Sequence, residues 1–274
     1  MRWLNASLLV GLVLTLAAIS VALLSLVWLP YHPNIPNIPE RMLPPGAPGH
    51  PLGTDTLGRD IVAQLMVGAR TSMLVGAGGA TISLTLGTLL GLWAAATGRM
   101  TDEAISRLAD IMLSIPGMVT ALVLAATLGS GMWTTILALS AFFTPSFIRV
   151  SRSAALAVLQ EDFVTAARLY GRGRLFVLAR HVLPNIAGVL IVQFTLYFAA
   201  GILTEAGLSY LGVGMSRPGI SWGLMLNEAQ NTVGVSSPLA LWPGLAIVVV
   251  VLGLNLLGDG LRDVLDPKLA RRAA

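Results

Sequence analysis

Five stretches of this chain reach membrane length without a single charged side chain: residues 6–29, 71–98, 111–148, 182–204 and 238–258. A helix needs about 20 apolar residues to cross a hydrocarbon core about 30 Å thick. Residues 111–148 are long enough for two crossings, with a break at Leu128-Gly129-Ser130-Gly131. The economical reading is an all-α polytopic membrane protein with six transmembrane helices. Charge content agrees. Only 11% of the 274 residues are charged, against about a quarter in a soluble domain. The first run exceeds the apolar core of a signal peptide and lacks a small-x-small cleavage site, so it is expected to persist as the first span. With no cysteine, disulfides, thiolate metal sites and cysteine nucleophiles are excluded.

The formal charge of +4 would suggest nucleic acid in a soluble protein; here topology accounts for it. With the N-terminus inside and alternating spans, thirteen of the seventeen basic residues fall inside: Arg2, Arg99, Arg107, six arginines from Arg149 to Arg180, Arg262, Lys268, Arg271 and Arg272. Arg41, Arg59, Arg70 and Arg217 fall outside. The positive-inside rule then predicts both termini in the cytoplasm, together with residues 160–185. Four regions follow: a first helix in 1–30, an external strap and surface helix in 31–70, a helical core in 71–260, and a cytoplasmic tail in 261–274.

Eight prolines between positions 30 and 51 forbid a helix and predict an extended strap. His32 and His50 within it read as solvated, since no third metal ligand is evident. In the next stretch Gly53 and Gly58 permit turns, while Asp55, Arg59 and Asp60 can pair locally. Ile61, Leu65 and Met66 predict a short helix lying on the outer surface. Within the second span Gly79, Ser83, Gly87, Gly91 and Ala95 recur every four residues, a stripe that lets another helix approach closely. Pro116 and Pro145 fall inside the third and fourth spans, where prolines are ordinary.

Residues 160–185, QEDFVTAARLYGRGRLFVLARHVLPN, are the one amphipathic and strongly basic segment. Gln160, Glu161 and Asp162 suit a helix start. Phe163, Ala166, Ala167 and Tyr170 share a small-centred apolar face, with Arg168 beside it. Gly171 supplies a C-terminal cap. Leu175 and Leu178 begin a second short helix, and Pro184 opens the fifth span. The apolar face has two homes open to it: a partner's groove or the membrane surface.

The segment resembles the EAA loop of ABC-importer permeases, whose pattern is EAA, three residues, glycine, a spacer and I-x-L-P. Ala166, Ala167, Gly171, Leu183 and Pro184 match it; the family's glutamate position is Thr165, leaving Arg168 or Glu161 for the polar contact. HPLGTDTLGRD, DIMLSIP, EAGLSYLGVG, SWG and NLLGDGLRDVLDP also resemble the C-type member of the dipeptide, oligopeptide and nickel permease pairs. The resemblance implies a type I ABC-importer permease fold in a bacterial cytoplasmic (inner) membrane. It further implies a homologous B-type permease partner, two cytoplasmic ABC ATPases and an external solute-binding protein. Peptides are the leading cargo, with nickel or a metal chelate as the alternative. The chain has no G-x-x-x-x-G-K-[ST] phosphate loop, so no directly bound cofactor is expected and ATP belongs to the partner subunits.

The remaining charges have two readings. Arg107 and Asp110 form a local ion pair. Glu205 faces an outer vestibule or bonds to the turn at Gly207. Asp259, Arg262, Asp263 and Asp266 make a clasp after the last span. An intramembrane protease would need a serine and a histidine that meet in the membrane, and a secondary transporter would carry membrane-embedded ionisable groups; the spans offer little of either.

Overall fold

A computed structural model describes residues 6–230 and 238–265. Arg2, Asp266, Lys268, Arg271 and Arg272 lie outside the described residues. Backbone in lipid must satisfy its own hydrogen bonds, and the apolar runs do so as helices. They are α1 (Ala6–Val27), α2 (Ile61–Ala96), α3 (Arg99–Ser114), α4 (Gly117–Leu128), α5 (Met132–Leu159), α6 (Asp162–Leu169), α7 (Arg174–Val177), α8 (Leu183–Tyr210), α9 (Trp222–Ala229) and α10 (Pro238–Leu265). Five runs among the described residues are long and apolar enough to cross a membrane, with α7 and α8 joined as Arg174–Tyr210. A sixth span exists if the bent pair α3–α4 counts as one.

That bend, 84°, has a local cause. Ile115 precedes Pro116 and is held extended at φ −87°, ψ 129°, because the proline ring disfavours helix in the residue before it. Pro116 then caps α4. Pro145, by contrast, sits buried inside an unbroken α5. The expected Leu128–Gly131 break separates α4 from α5.

The helices meet on small residues. α2 packs most extensively against α5, and α1 lies along α10. On the α2 stripe, a Cβ at Gly87 would stand 2.3 Å from the Phe147 Cβ, and one at Gly79 would stand 2.7 Å from the Leu139 Cβ. Phe143, Phe147 and Leu139 are fully buried there. Ser83 adds a hydrogen bond to the Ser140 carbonyl at 3.1 Å. The predicted stripe is therefore the α2–α5 seam.

The surface helix expected before the second span is the first part of α2 itself. Asp60 caps the helix by accepting from the Ala63 N–H at 2.7 Å, and no proline interrupts the next 36 residues. At 1.5 Å per residue this 36-residue rod is about 54 Å long, more than a hydrocarbon core requires.

The strap before it is irregular apart from one 3-10 turn, Ile38–Glu40. Its glycine turns are real: Gly58 has φ +75°, and a Cβ there would strike the Asn37 carbonyl at 1.8 Å. His32 is exposed, but His50 is not solvated as expected. It is 4% exposed, stacked on Tyr31, 2.8 Å from Asp60 and 3.3 Å from Glu40. Burial works against its charge, yet the hydrogen bonds and fields of Asp60 and Glu40 outweigh burial and hold its pKa above 6.5.

Two charge pairings also differ from expectation. Arg59 pairs with Asp55 at 2.5 Å as read, but Asp60 turns to His50. Arg107 pairs with Glu103, four residues back, while Asp110 meets Arg149 of α5, each at 2.6 Å. An i, i+4 partner was available on the helix surface, so Arg107 did not need Asp110. Asp259, Arg262 and Asp263 lie within α10 and are exposed, because the helix runs on to Leu265.

Two outcomes are expected. Gly87→Leu should lower stability by about 1–3 kcal/mol through overpacking, read as a drop in thermal midpoint in detergent; Gly98→Ala, with open space around it, is the matched control. Equal midpoints for the two would contradict the seam. For His50, a raised folded pKa contributes stability that is full below its unfolded value and fades as pH climbs through the folded one. The midpoint gap between wild type and His50→Gln should thus be widest near about pH 6 and shrink above neutrality. A gap that widens with pH would overturn the assignment.

Candidate coupling surface

α6 is eight residues long, too short to hold itself in water. What holds it is Val164, which is fully buried in a cluster with Leu92, Ala155, Val177, Leu178 and Val182. Ala167, one turn on, packs against the same cluster. Asp162 lies in the first turn and Arg168 in the last, both in the sense the helix dipole favours.

The C-terminal end closes as a Schellman turn. The Arg172 N–H donates to the Ala167 carbonyl at 3.2 Å and the Gly171 N–H to the Arg168 carbonyl at 2.9 Å. Gly171 takes φ +76°, a conformation that glycine adopts without strain. The predicted cap is present at the predicted residue.

The opposite face of α6 is bare. Phe163 is 44%, Leu169 84% and Tyr170 85% exposed, and Thr165, Ala166 and Arg168 are exposed with them. Sequence reasoning put Ala167 on this face; the fold turns it inward beside Val164, a residue that reasoning missed. The spacing of Val164 and Ala167 at i and i+3 was the available signal. It was masked by the larger Phe163 and Tyr170 beside it.

The second short helix is not separate. α7 runs through one widened turn, Leu178–Val182, straight into α8. Pro184 at the start of α8 has no N–H and would crowd the carbonyl four residues back, and a π turn relieves both. Leu183 and Pro184 are exposed at this junction. An aromatic ridge flanks α6 that the sequence did not reveal: His181 lies 6.1 Å from Phe163 and 5.8 Å from Phe176, ring centre to ring centre. Arg172 covers the Phe176 ring at 4.8 Å.

Glu205 does not face a vestibule. It lies inside α8, fully buried, and accepts from the Ser72 hydroxyl of α2 at 2.8 Å and the Ser209 hydroxyl at 2.7 Å. Ser209 in turn accepts from the Met215 N–H at 2.8 Å. The expected bond to the Gly207 turn is replaced by these serines. Nearby, Arg217 binds Glu228 at 2.5 Å and Gln64 at 2.8 Å, and Arg59 reaches Glu228 at 3.1 Å. These contacts fasten α9 to α2.

Comparison with known proteins places this geometry. Residues 87–271 match the family described as binding-protein-dependent transport system inner membrane component. The di/tripeptide transport system permease protein DppC of Pseudomonas aeruginosa is 40% identical over 274 residues, covering 98% of this chain and 90% of its own length. The glutathione transport system permease protein GsiD of Pectobacterium atrosepticum is 36% identical over 254 residues, 93% of this chain and 84% of its own. With matches that take in the exposed α6, its glycine turn and the helices behind it, the chain belongs to the binding-protein-dependent transport system inner membrane components, the membrane permeases of ABC importers.

Proposed function

We propose that this permease forms half of a peptide pathway across a bacterial inner membrane and receives the work of a cytoplasmic ATPase through α6. The observation that carries the reading is the bare apolar face of α6, with Phe163, Ala166, Leu169 and Tyr170 exposed while Val164 and Ala167 grip the chain's own core. A helix anchored on one side and apolar on the other is a helix-in-groove ligand. The arginine distribution supports a cytoplasmic position for it.

The working assembly is two homologous permeases, two ATPases and an external solute-binding protein, with ATP bound and hydrolysed by the ATPases alone. Closure of the ATPases would move α6, and α6 would move the helices behind it. Thr165 replaces the acid usual at its position, so polar docking falls to the exposed Glu161 and Arg168. Relatives named for di/tripeptide and glutathione transport support peptides as cargo.

Three substitutions test this surface. A Cβ at Gly171 meets nothing within 4 Å, so Gly171→Val acts on conformation alone, at a cost of about 1–2 kcal/mol for a left-handed β-branched residue. Peptide uptake by cells should fall while the subunit remains in the membrane and ATP hydrolysis continues; normal uptake would refute the docking role. Ala166→Trp should weaken capture of the ATPase subunits in a pull-down by about tenfold or more, because the added ring overpacks the contact. Ala167→Trp should instead lower the yield of folded protein, since that side chain faces inward. Undiminished capture by Ala166→Trp would place the docking face elsewhere.

A further inference from the structure

Three arginines, Arg168, Arg172 and Arg174, line one cleft of about 490 Å³ where α6 and α7 lie beside the C-terminal ends of α2 and α5. The rest of the wall is aliphatic, with Ala95, Ala96 and Leu178. Arg59, Arg149, Arg152 and Arg217 each meet a carboxylate. The cleft arginines meet none among the described residues; Arg172 has the Phe176 ring for company. Like charges gathered at one site, with no counter-charge, favour an anion.

A second feature follows along the same two helices. An apolar groove of about 510 Å³ lies between α2 and α8, lined by Leu84, Leu89, Leu92, Leu190, Ile191 and Phe194. Leu92 is one helical turn from Ala95 and Ala96 of the cleft. Polar anchor and apolar channel are thus consecutive on one helix pair.

We propose that cleft and groove together hold one anionic phospholipid, its phosphate among the three guanidiniums and an acyl chain between α2 and α8. Arginine forks match phosphate oxygens two at a time, and basic pockets between membrane helices bind anionic headgroups. A carboxylate from a partner protein would use the guanidiniums but leave the groove unexplained; free phosphate would do the same. The site borders the ATPase contact made by Phe163 and Tyr170 and shares Arg168 with it, whereas Arg172 and Arg174 belong to the cleft.

The test is native mass spectrometry of the intact transporter, purified with its partners and equilibrated with equal phosphatidylglycerol and phosphatidylethanolamine. The wild type should retain phosphatidylglycerol preferentially. Arg172→Gln with Arg174→Gln should cut that retention roughly thirty-fold, the effect of two basic side chains at a membrane surface. Ile191→Trp, which fills the groove at a position 46% exposed and alters no charge, should also reduce it. Equal retention of both lipids by the wild type would overturn the proposal. So would unchanged phosphatidylglycerol in the glutamine pair, and loss of the ATPases from that pair with lipid retained would assign the arginines to a protein acid. Displacement of the lipid by inorganic phosphate, with Ile191→Trp behaving as wild type, would reassign the cleft to a free anion.

Discussion

The structure depends on how closely α2 can be approached. Between helices in lipid there is little hydrophobic drive, and association comes from dispersion contact and hydrogen bonds. Missing side chains at Gly79 and Gly87 let Leu139 and Phe147 press against the α2 backbone. Ser72 on another face of the same helix reaches Glu205 of α8. Its N-terminal end is fixed to the strap through Asp60 and His50, and its C-terminal half supports the cluster that grips Val164. One rod thus carries contacts from the strap to α6.

The two ends of the molecule are built by different physics. At the strap end charges are paired and more than half of them are buried: His50 with Asp60 and Glu40, Arg217 with Glu228, Arg59 with Asp55. Such pairs fix geometry because breaking one strands its partner. At the α6 end the apolar and basic groups are left exposed around a single buried anchor. An end that is closed upon itself suits a fixed frame, and an end that is open suits contact.

What the sequence made legible was local. The apolar runs, the break at Leu128–Gly131, the four-residue stripe on α2 and the Gly171 cap each depend on neighbours within a few turns, and each is where the spacing put it. What it concealed depends on distant partners. Glu205 looked like a loop acid until Ser72, 133 residues away, came into contact. His50 looked solvated because its burial comes from Tyr31 and the start of α2. The inward turn of Ala167 needed the α7–α8 junction to exist first. The merging of that junction into α8 was equally hidden, since Pro184 reads as a start signal while a π turn carries the helix past it.

That merger has a mechanical consequence. From Arg174 to Tyr210 the chain is one run of 37 residues, about 55 Å of rod at 1.5 Å per residue. One tip begins three residues beyond Gly171; the other carries Glu205, pinned to α2 by Ser72. A push on the glycine turn therefore meets a stiff beam with a single compliant point, the widened turn before Pro184, and a clamped far end. Motion entering there must pivot the beam or flex that one turn.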